Sequence, residues 1–291
     1  MKVRALIAPL LVLGIAATAC ANASSTIPGG GSGDGGSDHA GGAGDLIMRI
    51  SNEGGLLSPE YTLTATPAFS LFGDGTVVTQ GAQIELYPGP ALPPLVATQL
   101  TETGIQAILQ ASLDAGLDED REYTDLGAVG IADASTTVFT ITVNGATHVT
   151  KVYALGELGQ QPAGMSDDEF IARSQLLDFQ NSMQDLRGTL PAGSVGDDTM
   201  FAPPGLRLFV SHYQPEQDLA QKAVDWPLAS PLAGFGEPAT LAGYRCGAVT
   251  GADLEAVLPL ARRANQLTPW RSQGVSYAIV FRPLLPDESG C

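Results

Sequence analysis

Residues 136–153 read TTVFTITV, then NG, then ATHVTKVY. β-Branched and aromatic residues dominate both runs, as suits a pleated, half-buried surface. Asn144–Gly145 supplies the two residues that tolerate positive φ in a type I′ turn. The stretch therefore predicts an antiparallel hairpin. In its register His148 shares a face with Phe139, Ile141 and Val143, a satisfied, half-buried histidine.

Sheet signals extend upstream. Leu46–Ile50 alternates as an opening strand, followed by a loop with Gly54–Gly55. Tyr61–Thr64 and Phe69–Phe72 are predicted as strands, and Gly73–Asp74–Gly75 as a tight turn into Thr76–Val78. Gln83–Tyr87 is predicted as a strand ended by the Pro-rich stretch 88–94. Between these strands and the hairpin, Thr101 opens a helix over about 102–115. Its Ile105, Ile108, Leu109 and Leu113 share one face, and Gly116 suits its C-terminal cap.

Downstream, Ser166 and Glu169 form a capping-box pattern, and Met165 with Phe170 a hydrophobic staple. A helix is expected there, ended by Gly188. Its stripe Ala172, Leu176, Phe179, Met183, Leu186 is expected to pack internally. A shortened second series follows. Leu206–Val210 is an opening strand, and Pro231–Glu237 echoes Pro67–Asp74. A helix starts at Thr250 with Asp253 as its capping partner. Leu254, Val257, Leu258 and Ala261 share a face, and Pro259 predicts a kink or interruption. Gln273–Gly274 stands where Asn144–Gly145 stood, before the alternating Val275, Tyr277, Ile279 and Phe281.

The expected fold is α+β: two related, mainly antiparallel sheet modules, each with one main helix, joined by a connecting helix. The modules span 45–160 and 205–287, with the connecting helix in 161–190 and a C-terminal tail at 288–291. The repeated order reads as a diverged tandem duplication.

The N-terminus is an address. Met1–Arg4 is basic, residues 5–16 are uncharged and mostly apolar, and Ala17–Thr18–Ala19–Cys20 is a run of small residues ending in a thiol. This is an export signal, short for a membrane span. Its end resembles a lipobox, which implies cleavage after residue 19 and lipid on Cys20. Two acyl chains suffice for stable anchoring. Position 17 is Ala where a lipobox usually has Leu, and Ala17–Thr18–Ala19 also fits ordinary cleavage, which would yield a secreted, soluble protein. Residues 20–44 are the lipidated Cys and a Gly/Ser-rich tether, in which His39 reads as a solvated linker residue.

The chain carries 14 Lys and Arg against 31 Asp and Glu, a net charge of −17. Loss of residues 1–19 removes Lys2 and Arg4 and no acid, so 12 bases face 31 acids, a net charge of −19. Such a surface repels phosphate backbones and anionic lipid, which excludes nucleic acid as a partner and leaves the lipid as the membrane contact. The remaining cysteines, Cys246 and Cys291, are expected to form a disulfide in an oxidising compartment; the alternative is two free thiols. No His or second Cys lies at metal-ligand spacing from either.

Motifs for chemistry are lacking. No G-x-S-x-G, H-E-x-x-H, C-x-x-C or phosphate-loop pattern occurs. His148 and His212 stand alone, and the acids of the 118–125 loop lack the oxygen spacing of an EF-hand. No catalytic, cofactor or metal residue is therefore assigned. Trp226 and Trp270, in or beside loops, are the expected partner contacts, because Trp is enriched in binding hot spots.

The segments LFGDGTVV (71–78), TTVFTITVNG (136–145), ALGE (154–157), YRCGAVTGADL (244–254) and LTPWRSQG (267–274) together resemble a family of uncharacterised lipoproteins of high-GC Gram-positive, actinobacterial type. The resemblance implies an anchored extracytoplasmic protein and no particular activity. The first half also resembles emfourin-type inhibitors of thermolysin-like metalloproteases. It shares Gly54–Gly55 near the first strand, one helix near 102–115 and the 136–153 hairpin, with Leu56 where an aromatic is expected. The expectation is a non-enzymatic protein-binding or accessory envelope lipoprotein on the outer face of the membrane, its partner an envelope or secreted protein such as a protease. The alternative is a small-ligand or solute-binding lipoprotein with a cleft between the modules.

Overall fold

A computed structural model describes residues 36–83 and 85–291. The export signal, Cys20 and the tether as far as residue 35 lie outside the described residues.

The chain opens with β1 (Leu46–Gly54), followed by the short helix α1 (Pro59–Thr64), β2 (Phe69–Phe72), β3 (Thr76–Gln80) and β4 (Leu95–Leu100). Then come α2 (Glu102–Asp114), β5 (Arg121–Tyr123) and the hairpin β6 (Ser135–Val143) and β7 (Ala146–Tyr153). Helices α3 (Asp167–Ser182) and α4 (Leu186–Thr189) lead to β8 (Val195–Met200). The second module holds β9 (Gly205–His212), β10 (Val224–Asp225), β11 (Glu237–Pro238), β12 (Arg245–Thr250), α5 (Gly251–Ala261), β13 (Trp270–Ser272) and β14 (Val275–Pro283).

The strands form two mixed sheets, so the α+β class and the two sheet modules hold. One sheet runs β5-β7-β6-β1-β2-β3-β4-β8 and the other β10-β13-β14-β9-β12-β11. Each has one parallel pair, β5 with β7 and β10 with β13; the other pairs are antiparallel. In each, the module's opening strand lies between an antiparallel neighbour and the later hairpin. The hairpin docks by its first strand on β1 but by its second strand on β9. Both hairpin turns have the expected chemistry: φ is 52° and 76° at Asn144 and Gly145, and 51° and 81° at Gln273 and Gly274. His148 pairs opposite Ile141.

The first core packs one face of its sheet against α2 and α3. Ile105, Ile108 and Leu109 meet Leu176, Phe179 and Met183 over Ile50, Phe139 and Ile141. Ser166 Oγ accepts from the Glu169 N–H at 3.2 Å, as the capping pattern requires. The Glu169 carboxylate is taken by Arg173 Nε at 3.1 Å instead of closing the box. The helix stops at Ser182, ahead of Gly188, and Asp185 caps α4. The second core packs Leu206, Leu208, Phe281 and Trp270 against Val257 and Ala261 of α5, which runs unbroken through Pro259.

Several local expectations are corrected. Tyr61–Thr64 is helical: the Ser58 hydroxyl accepts from the Tyr61 N–H at 3.3 Å, and Pro59 sits in the first turn, where its missing N–H costs nothing. The described part of 83–87 is not strand. Strands β4 and β8 were not expected; β8, outside the first module's expected boundary, extends that module's sheet at its edge. Nor is the end of the tether purely solvated. Ser37 exchanges two 2.8 Å hydrogen bonds with the Gln106 side-chain amide. Asp38 N–H donates to Asn144 Oδ1 at 2.9 Å. His39 Nε2 lies 3.1 Å from a Glu102 carboxylate oxygen, with only 10% of its side chain exposed.

Among the described residues no helix is long and apolar enough to cross a membrane. Cys246 and Cys291 form a disulfide, Cα atoms 6.0 Å apart, so the C-terminal tail is pinned to β12.

Candidate functional site

The modules meet along a strap, residues 89–94. Gly89 accepts from the Gln266 N–H at 2.9 Å, and Ala91 N–H donates to the Ala264 carbonyl at 3.1 Å. Ala91 thereby enters the core of the second module. Arg282 Nε donates to the Ala65 carbonyl just past α1, at 2.9 Å, and Arg49 pairs with Asp287 at 2.8 Å. A smaller core of Phe72, Val78, Leu95, Phe201 and Leu285 closes the seam. Two concavities flank the strap, sharing Pro90, Leu92, Pro93 and Pro94 as a common wall.

The larger, about 680 Å³, lies between the strap, α1 and the second sheet. Tyr61, Leu86 and Tyr87 stand along it, and Ile279 and Val280 supply its sheet wall. Its lining offers apolar surface with amide and hydroxyl groups from Gln83, Gln266, Ser58 and Thr64; no Asp, Glu, His, Lys, Arg or Cys is among them. That chemistry suits binding.

The loop before α1 adds a second apolar element. Gly54 and Gly55 take φ of 70° and 82°, a left-handed geometry that glycine adopts without strain. This turns the chain out of β1 and leaves Leu56 84% exposed and Leu57 47% exposed. Tyr61, Leu86 and Tyr87 are each more than half exposed. These five make up most of the nine exposed large hydrophobic residues among those described. Tyr61, Leu86 and Tyr87 border one cavity, and Leu56 and Leu57 precede Tyr61 by a few residues in the chain; isolated exposed apolar residues are ordinary, but a concentration of them marks a contact site.

No family model, curated protein or solved structure matches this chain. The geometry therefore carries the functional argument alone.

Trp226 and Trp270, expected as partner contacts, are core residues. They are 8% and 1% exposed and pack edge-on at 6.1 Å. Trp270 also meets Phe281 at 5.3 Å, and the Trp226 indole N–H donates to the Ser230 carbonyl at 2.9 Å. Position beside a loop gave no measure of burial; β13 draws Trp270 into the sheet. His148 is half-buried, and His212 is exposed, its ring stacked 6.1 Å from Tyr277. Among the described residues no cluster of three or more His, Cys, Asp or Glu could hold a metal. Sequence reasoning missed Tyr61, Leu86 and Tyr87, having assigned them to strands. Ser58–Pro59 was the legible signal for the first, a cap followed by a first-turn proline.

Proposed function

We propose that this is a non-enzymatic binding protein, anchored outside the cell by lipid on Cys20, that engages another protein through Leu56, Leu57, Tyr61, Leu86 and Tyr87. The observation that carries the reading is the concentration of exposed large apolar side chains in residues 56–61 and 86–87. Tyrosine is enriched in interface hot spots, and the leucines add apolar area around the two tyrosines.

Geometry relative to the anchor supports it. The chain reaches the body at Ser37–His39, beside the Asn144 turn and the start of α2. That turn lies at the Leu46 end of β1, and the Leu56 loop follows the other end. Eight strand spacings separate them, roughly 25–30 Å. A lipid-tethered body would thus hold the patch away from its own membrane. An envelope or secreted protein such as a protease is the partner class, and the Gly54–Gly55–Leu56–Leu57 loop is the exposed element it would meet.

The test is carboxylate-directed crosslinking of the full-length protein in its source envelope and culture medium, followed by mass spectrometry. Enrichment of one extracytoplasmic protein by the native chain, lost with Leu56→Asp plus Tyr87→Asp, supports the reading. Equal recovery with the double variant overturns it. The second reading, a small-ligand protein, is favoured by the 680 Å³ cavity at the seam; volumes of roughly 300–1,000 Å³ are usual for ligand sites. Thermal stabilisation by a compound, blocked by substitutions at Ile279, would favour it instead.

A further inference from the structure

The concavity on the other side of the strap has a different character. It holds about 450 Å³ between the β4–β8 edge of the first sheet and α5 of the second module. Leu92, Val96, Met200, Phe201 and Leu258 make its apolar lining, and five prolines stiffen it. Met200 is 72% exposed at its lip; a methionine there can adapt to occupants of different shape.

Two charged residues border this trough, Asp198 and Arg262. Asp198 is already engaged. Thr98 Oγ1 donates to it at 2.7 Å, and Arg187 pairs with it at 3.1 Å. Arg262 is exposed, and its guanidinium has no hydrogen-bond or ion-pair partner among the described residues. Nine basic side chains of the body are engaged: Arg49, Arg121, Lys151, Arg173, Arg187, Arg271 and Arg282 each hold a carboxylate, and Arg207 and Arg245 each donate to a carbonyl. The Lys222 and Arg263 side chains are also without a partner among the described residues, but of the three only Arg262 lines the trough. The C-terminus of α5 beside it accounts for a basic residue at this position. It does not account for the apolar trough that the residue borders.

We propose that this groove binds a single-chain anionic amphiphile, its apolar body along Leu92, Val96 and Leu258 and its anionic head on the Arg262 guanidinium. The complementarity is of two kinds. The trough offers apolar burial, and Arg262 offers a planar fork of donors that matches a carboxylate or a phosphate. In a chain of net charge −17, such a site stands against the general field, so recognition of the head depends on this one side chain. The proposal is independent of the loop patch on the other side of the strap.

The test uses residues 20–291 prepared without lipid or detergent, titrated calorimetrically with dodecanoate, tetradecanoate, dodecyl phosphate and dodecanol. Saturable one-site binding is expected for the acids. Affinity should rise about threefold to fourfold per added methylene, the increment of full burial. Dodecanol should bind at least tenfold more weakly than dodecanoate, and Arg262→Gln should lose the same factor for dodecanoate while leaving dodecanol unchanged. Tighter dodecyl phosphate than dodecanoate points to a lipid headgroup as the natural source, and the reverse order to a free acid; either supports the shared chemistry. Leu258→Ala, which removes apolar lining and adds no charge beside Arg262, should weaken every probe. Absence of saturable binding overturns the proposal. So does equal binding by Arg262→Gln, which would place the ligand in the other cavity.

Discussion

Arg282 grips Glu288 with both terminal nitrogens, at 2.6 and 2.8 Å, while its Nε donates to the Ala65 carbonyl of the other module. One side chain thus ties the last strand, the C-terminal tail and the first module together. Burial by itself would raise the Glu288 carboxyl. Hydrogen bonds from Arg282 and the Leu285 N–H, with the charges of Arg282 and Arg49, outweigh it and hold the group below the usual carboxylate range.

A depressed carboxylate contributes stability that is present above its unfolded pKa, near 4.3, and lost as pH falls through the folded value. Glu288→Ala should therefore cost about 3 kcal/mol at neutral pH, since it leaves Arg282 buried without its counter-charge. The difference from the native chain should shrink as pH drops below about 4. Chemical denaturation at a series of pH values measures both, and a difference independent of pH would refute the assignment.

The disulfide acts on the same tail. Cys246 sits opposite Phe209 in the second sheet, and Cys291 lies 45 residues on. In the chain-entropy account a loop of that length contributes about 4 kcal/mol. Replacement of both cysteines by serine should lower the denaturation midpoint accordingly, with little change in the far-UV spectrum. Glu288→Ala added to that variant should cost less than it does alone, because both changes release one segment.

Trp270 is 1% exposed, against Phe281 and Trp226. Trp270→Ala should cost about 4 kcal/mol from the cavity it leaves. Binding of a partner should fall only in proportion to the unfolded fraction. Loss of binding by a fully folded variant would restore Trp270 as a contact residue.

The hairpin turns and the three long helices were legible because their signals are local: a dipeptide needing positive φ, a capping serine, a 3.6-residue stripe. Strand β8 was not, because VGDDTM has no apolar alternation and five of its six residues are exposed. It is a strand through pairing with β4, a partner about 100 residues earlier. Tyr61 was misread because four residues cannot establish a period, and the cap at Ser58 lay outside them. The seam cavities were illegible for a related reason. Their walls come from residues 58–96 and 198–283, and no local pattern records that two distant segments will face each other.

His39 and Glu102 join the tether to α2, 3.1 Å apart. Burial tends to raise the Glu102 carboxyl, but hydrogen bonds from Gln106 and His39 and the His39 charge hold it below its usual value. The carboxylate's share of this contact is therefore present above its unfolded pKa and fades as pH falls through the lower folded value. His39→Ala should leave the thermal midpoint nearly unchanged, since its partner Glu102 is 65% exposed and such ion pairs contribute little. It should speed amide exchange at Asp38 and Asn144, whose N–H groups bond across this junction. Unchanged exchange would mean that Gln106 alone docks the tether.

Leu56 is 84% exposed and touches no core, so Leu56→Asp should shift stability by less than about 0.5 kcal/mol. Its effect on partner capture should be larger, at least tenfold, because a carboxylate at the centre of an apolar contact stays desolvated without a counter-charge. Val275, exposed on the second module, is the control: Val275→Asp adds the same charge to an exposed apolar position outside the patch and should leave capture intact. Gly55→Ala separates shape from chemistry. It keeps Leu56 but strains a backbone held at φ 82°, so it should weaken capture by disturbing how the loop is presented. If both aspartate variants lowered capture equally, the cause would be added negative charge, and the loop would lose its claim as the binding element.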